Sequence, residues 1–148
     1  MKRYEEFKKI PYQFDIINEE YNEEEYLEYV KEYKHLKEGS LRCYKCYDLR
    51  LKQTAKKAKE LGFDFFTTTL SISPYKNSKW INQLGFMYSE QYDVNFLYSD
   101  FKKNEGYKKS INLSKEYNLY RQEYCGCRYS IEELKERNRL KENNESNA

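Results

Sequence analysis

The chain predicts an α/β protein, helices layered on a parallel sheet, and three observations carry that expectation. Segments whose apolar residues recur every three to four positions alternate with short runs rich in Phe, Tyr, Thr, Val and Ile. One of those runs, Phe63–Leu70, is continuously apolar or β-branched, as in a strand covered on both faces. The 148 residues show no internal repeat and suit one domain with its own core.

Taken in order, the chain opens in helix-like sequence through Lys9. Pro11 follows, and Tyr12, Phe14 and Ile16 alternate as a short strand over Tyr12–Ile17. Asn22 with Glu25 three residues on marks a helix start, with Tyr26, Leu27, Val30 and Tyr33 on the apolar side. Gly39-Ser40 interrupts. Asp48–Leu61 reads as a helix with Leu51, Ala55, Ala58 and Leu61 on one face and Gly62 as its stop. The buried strand Phe63–Leu70 leads into a polar loop, Ser71–Asn77. A helix over Ser78–Tyr92, a strand at Val94–Tyr98 and a charged loop from Asp100 to Gly106 come next. Tyr107–Tyr117 forms a helix that Asn118 ends, and Ile131–Lys141 a polar helix before a frayed tail, Glu142–Ala148.

Composition narrows the function. No apolar run reaches the roughly 18 residues of a membrane span, and Met1-Lys2-Arg3-Tyr4-Glu5-Glu6 has no apolar signal-peptide core. The expected compartment is the cytoplasm, where paired cysteines read as metal ligands or catalytic thiols before structural disulfides. Net charge is +2, unevenly spread: residues 1–40 carry net −4, 41–99 net +4, 100–128 net +3 and 129–148 net −1. The cysteine-bearing part is the basic part, which suits a polyanion such as RNA. The wealth of tyrosine, 17 residues, supplies the core rather than a function.

The four cysteines form two tight pairs, Cys43-Tyr44-Lys45-Cys46 and Cys125-Gly126-Cys127. Two intervening residues let both sulfurs of the first pair reach one metal at about 2.3 Å. Cys46 is expected just before a helix, where the dipole favours thiolate. A disulfide across the single residue Gly126 closes a strained and easily reduced ring, which suits a redox pair, and Arg121 and Arg128 nearby favour thiolate. Two other readings stay open: a zinc-binding module using Cys43, Cys46, Cys125 and Cys127, although a zinc ribbon spaces its pairs by roughly 15–20 residues, and a metal-free thiol oxidoreductase. Thr68, near the end of the strand Phe63–Leu70, and Lys76, in the loop beyond it, fall where α/β sheets bind ligands; with Arg121 they are the expected substrate-binding residues. Asp100, just past the last strand, is a loop cap, or else a metal ligand or an acid, and His35 a solvated surface residue.

Several blocks together resemble the QueH family of epoxyqueuosine reductases. They are Arg42-Cys43-Tyr44-Lys45-Cys46-Tyr47-Asp48-Leu49-Arg50-Leu51, the run from Phe65 to Asn77, Asp100-Phe101-Lys102-Lys103, Gly106-Tyr107-Lys108-Lys109-Ser110, and Tyr120-Arg121-Gln122-Glu123-Tyr124-Cys125-Gly126-Cys127. The resemblance implies a Rossmann-like sheet of HUP type. It implies reduction of the epoxide of epoxyqueuosine in tRNA, the last step of queuosine synthesis, drawing on an electron donor that the sequence does not identify. It makes Cys43 and Cys46 ligands of a [4Fe–4S] cluster, with an additional iron adjacent, and Cys125 and Cys127 the pair that cycles between dithiol and disulfide.

The chain departs from the family pattern at its start. Family members open with a strand ending in Cys-Cys-x-Pro-Cys, then a helix and a second strand, and none of these is present. The expectation is an incomplete sheet with its first two strands missing and a cluster short of two ligands. Residues 1–130 would be a partial catalytic domain including Cys125-Gly126-Cys127, and residues 131–148 a polar helix and tail. Alone, such a chain is expected to be poorly stable and inactive.

Overall fold

The computed structural model describes residues 2–12, 14–20 and 22–146, and side chains within residues 5–144 of that set. Its elements are α1 (Lys2–Phe7), α2 (Glu23–Val30), α3 (Leu41–Glu60), β1 (Phe65–Phe66), α4 (Ser78–Tyr92), β2 (Asn95–Phe96), α5 (Gly106–Glu116) and α6 (Arg128–Ser146), with 3₁₀ turns at Lys31–Tyr33 and Thr69–Ile72. The protein is α/β, mostly helical, with β1 and β2 parallel and Phe65 opposite Asn95, Phe66 opposite Phe96.

Helix α3 organises the core. Tyr47, Leu51, Ala55 and Ala58 recur at helical spacing and form one buried stripe. Against it lie Ile81, Leu84 and Tyr88 of α4 and Phe66, Val94 and Phe96 of the sheet. Gly85 is what lets α4 approach the sheet, because a Cβ there would lie 2.4 Å from the Phe96 ring. On the other side of α3, Tyr26 and Val30 of α2 close over Cys46.

The helix signals acted as expected at several ends. Asn22 Oδ1 accepts from Glu25 N at 3.1 Å, and Asn77, read only as the end of a loop, proves to be a second cap, its Oδ1 accepting from Trp80 N at 3.1 Å. Gly62, at φ +72°, ends α3: its N–H reaches Lys59 O and that of Phe63 reaches Ala58 O at 2.9 Å, the paired bonds of a Schellman motif. Asn118 repeats this after α5 at φ +49°, tolerable because asparagine visits the left-handed region. Helix α6 starts earlier than expected and runs on through the segment read as a tail, residues 142–146; residues 147 and 148 lie outside the described set.

Three expectations are corrected. Helix α1 ends at Phe7 rather than Lys9, closing in short turns before Pro11. Residues 12 and 14–17 form no strand, and Gln13 lies outside the described residues. An alternating pattern becomes a strand only beside a partner, and here Tyr12, Phe14 and Ile16 are exposed while Phe14 packs edge-on against Phe7. The run Phe63–Leu70 is covered on one face only: Phe66 is buried, whereas Phe63 and Phe65 are 58% and 60% exposed. It yields two strand residues before Thr68 turns the chain into a 3₁₀ turn.

Two polar contacts hold the loops beyond the strand C-termini. The Asn82 side chain of α4 donates to Ser99 O at 2.8 Å and accepts from Ser99 N at 3.0 Å. Ser99 Oγ also meets Ser71 Oγ at 3.1 Å in the interior. The loops after β1 and β2 are thus fastened to α4 and to each other, which fixes the floor on which Lys76 stands.

Candidate functional site

Helix α3 starts at Leu41, not at Asp48, so both Cys43 and Cys46 lie inside it. The reason is that Cys43, Tyr47 and Leu51 already follow the four-residue stripe that the core requires. The helix N-terminus therefore acts on Cys43, whose Sγ accepts from Gly39 N at 3.3 Å, and not on Cys46. Both thiols are more than nine-tenths buried. Cys46 packs with Tyr26 and Val30, and burial pushes its thiol up, opposed by Arg50.

The second pair lies at the start of α6. Gly126 adopts φ +99°, a bend that favours glycine. Cys127 occupies the N-cap position of α6: its carbonyl accepts from Ile131 N at 3.2 Å and its Sγ from Ser130 N at 3.4 Å. The helix terminus expected to favour thiolate at Cys46 thus does so at Cys127. A hydrogen bond from the Cys125 thiol, with others from Ser130 and from the Tyr26 hydroxyl, holds Cys127 well below the usual thiol range against the effect of burial. Cys125 is held up, first because it keeps the proton the two sulfurs share, then by burial, while Lys76 pulls the other way. All four cysteines are free in this structure.

Lys76 Nζ lies 3.1 Å from Cys125 Sγ and 2.9 Å from Glu38 Oε1, in a side chain only 8% exposed. Burial disfavours the ammonium, but negative charge on the Cys125–Cys127 pair, met through Cys125, and the Glu38 hydrogen bond outweigh that effect and keep Lys76 charged. Arg121 is placed differently, donating to Ser110 O and Ser114 Oγ at 3.1 and 2.9 Å and stacking over Tyr107. The Thr68 hydroxyl caps the turn after β1 by accepting from Leu70 N at 3.2 Å. Asp100 is paired with Lys102 at 3.0 Å, and His35 is exposed.

A cleft of about 1660 Å³ runs past these groups, its lining including Cys46, Lys76, Cys125, Arg121, Arg50 and Arg137. The structure therefore brings Lys76, Cys125 and Cys46 to one cleft, with Cys127 behind them against Cys46 and Tyr26. Thr68 is not among them. Glu38, Tyr26 and Ser130 are site residues the sequence reading missed. Ser130, three residues after Cys127, had a legible signal as the third residue of a capped helix; Glu38, next to an interrupting Gly39-Ser40, had none.

The metal implied by the Cys43–Cys46 spacing fits only in part. Two thiols one turn apart on α3 supply two ligands, but a four-thiolate cluster needs four. Among the described residues no group of three or more His, Cys, Asp or Glu side chains converges. The donors among the described residues do not complete a cluster. Nor is a preformed four-thiol zinc site present among those residues. No helix among them is long and apolar enough to cross a membrane.

A family described as epoxyqueuosine reductase QueH matches residues 1–133. The epoxyqueuosine reductase QueH of Streptococcus pyogenes serotype M1 is 46% identical over 115 residues, 78% of this chain and 45% of that protein. That of Staphylococcus aureus strain Mu50 is 50% identical over 97 residues, 66% of this chain and 40% of its own length. The Thermotoga maritima protein of the same name is 44% identical over 108 residues, 73% of this chain and 56% of its own. The chain spans about half the length, or less, of these relatives.

Proposed function

The chain belongs to the QueH family of epoxyqueuosine reductases, and on that premise we propose that it carries the thiol machinery of that reaction on a tRNA substrate. Opening an epoxide to an alkene takes two electrons and two protons and releases water. Cys125 and Cys127 supply the electrons as they pass from dithiol to disulfide, and an external electron donor restores them. Cys43 and Cys46 are two of the thiolates of a [4Fe–4S] cluster, with an additional iron beside it. The chain has four cysteines, two of them in the redox pair, so the remaining ligands come from a further thiol-bearing segment. The 148 residues alone are then inactive. The same segment completes the Rossmann-like sheet. Arg50, Arg121 and Arg137 along the cleft face the polyanionic tRNA, and the reaction takes place in the cytoplasm. Thr68 shapes the loop beside the substrate rather than binding it.

The observation that carries this reading is that Cys46, Cys125 and Lys76 share one cleft with Cys127 packed against Cys46. The test is a chimera in which this chain replaces the stretch it aligns with in the Thermotoga maritima relative. Supplied with epoxyqueuosine-containing tRNA and a low-potential reductant, it should form queuosine, read by mass spectrometry of digested tRNA. A folded, iron-loaded chimera that leaves the epoxide intact would end the proposal.

A further inference from the structure

Lys76 is placed with more care than a solvated lysine needs. Its backbone is held on both sides, N donating to Ser73 O at 3.2 Å and O accepting from Lys102 Nζ at 3.3 Å, and the next residue, Asn77, caps α4. Burying the side chain costs rotamer freedom and the hydration of a charge. Glu38 and Cys125 are what the ammonium receives in return. The Cys125 sulfur and Lys76 both line the cleft, whereas Glu38 keeps a third of its side chain in solvent.

Resting on the reading above, the geometry points to Lys76 as the acid of the site: its ammonium gives the departing epoxide oxygen one of the two protons with which it leaves as water. The balance closes without another reactant. The pair forms one S–S bond and yields two electrons; the two C–O bonds of the epoxide break and a C=C bond forms. The oxygen takes two protons. The Lys76 ammonium gives one and the cysteine pair the other; a pair that starts with two protons returns its second to the amine. An alkoxide is a much stronger base than an amine, so the transfer runs downhill. With a pair that starts with one, solvent at Glu38 recharges the amine afterwards. The charged and titratable groups around Nζ are Glu38 from the loop before α3, Tyr47 from α3 and Cys125 from the segment before α6. Tyr47, pushed up to about 12 by burial, is a weaker acid than an ordinary phenol and a poor substitute.

The chimera tests this. Lys76→Arg keeps the charge beside Cys125 but cannot release a proton; turnover should fall by about 10²-fold or more. Lys76→Ala should fall as far, and added methylammonium should restore part of its rate. Tetramethylammonium, a cation with no proton to give, should not. A Lys76→Arg variant at the parent rate overturns the inference alone, as does rescue by tetramethylammonium as good as by methylammonium. Failure of methylammonium to rescue a Lys76→Ala protein with the parent's iron content and thermal transition overturns it too. A parent chimera that cannot reduce the epoxide instead sinks the proposed function, and the role of Lys76 goes with it.

Discussion

Arg42 of α3 and Glu133 of α6 meet at 2.6 Å, and this contact holds the helix that carries Cys127 against the helix that carries Cys43 and Cys46. Arg42 is 2% exposed, donates to Leu36 O at 2.5 Å and lies over the Tyr129 ring, while its buried Nε has no partner. Glu133 keeps over a third of its side chain in solvent. The two ends of the pair are therefore unequal. Glu133→Ala strands a buried guanidinium and should cost about 1–3 kcal/mol. Arg42→Met returns Glu133 to water and should cost less. Urea unfolding of both variants checks the order, and equal losses would show that packing of the Arg42 stem, not its charge, holds α6.

Asp48 is the buried carboxylate of the core and accepts from the hydroxyls of Tyr29 of α2 and Tyr88 of α4. Burial, then the Asp48 contact, pushes Tyr29 up to about 12 and raises Tyr88 further. A phenol whose proton is held more tightly in the folded state contributes stability in full below its unfolded value near 10. That stability is lost as pH rises through the folded value. Stability should thus hold to about pH 10 and fall between about pH 10 and 12. Tyr88→Phe should remove part of that slope and about 1.5–3 kcal/mol at neutral pH. Chemical unfolding across that pH range, with phenolate absorbance as the titration signal, provides the measurement.

Gly85→Ala sets helix propensity against packing. Alanine gains about 1 kcal/mol in a helix interior, but its Cβ meets the Phe96 ring at 2.4 Å. That ring is wedged between Phe66 and Phe86, at centroid distances of 5.2 and 5.4 Å, so it has little room to yield. Overpacking costs about 1–3 kcal/mol, and the net should be a loss of up to about 2 kcal/mol. Adding Phe96→Leu to Gly85→Ala should recover part of it. A more stable single variant would mean the ring moves freely.

The two cysteine pairs should separate by metal content. In the chimera, Cys43→Ser or Cys46→Ser should lower bound iron and sulfide, whereas Cys125→Ser and Cys127→Ser should keep both and abolish queuosine formation. Iron loss from either of the latter would reverse the assignment of roles.

What the sequence disclosed was local. The Asn22 cap, the Gly62 and Asn118 stops and the limits of α4 follow from interactions within a few residues, so pattern alone located them. The start of α3 is hidden because Cys43 and Cys46 read first as a ligand pair after Gly39-Ser40, although Cys43, Tyr47 and Leu51 already carry the four-residue stripe of the core. Tyr12–Ile17 was misread for the opposite reason, since a strand depends on a neighbour that no local pattern reports. In the site, the spacing of each cysteine pair pointed to its chemistry. The Lys76–Cys125 contact spans 49 positions and the Arg42–Glu133 contact 91. Such pairings are properties of the fold, not of any segment.

The outer face of the sheet bears on how the chain behaves in isolation. Phe63, Phe65, Leu97 and Tyr98 are each more than half exposed and lie in or beside β1 and β2. Single exposed apolar residues are ordinary, but an aromatic group of this kind on a two-stranded sheet is a surface that associates. The 148-residue chain should self-associate at micromolar concentration and lose a sharp thermal transition. Phe65→Thr keeps strand propensity while removing the most exposed ring of the strand. It should weaken association by about tenfold, the ~1.4 kcal/mol expected when one phenylalanine is only partly covered at a contact. Light scattering across a dilution series of both proteins is the measurement. A monodisperse monomer with a cooperative melt from the unaltered chain would show that this face needs no cover.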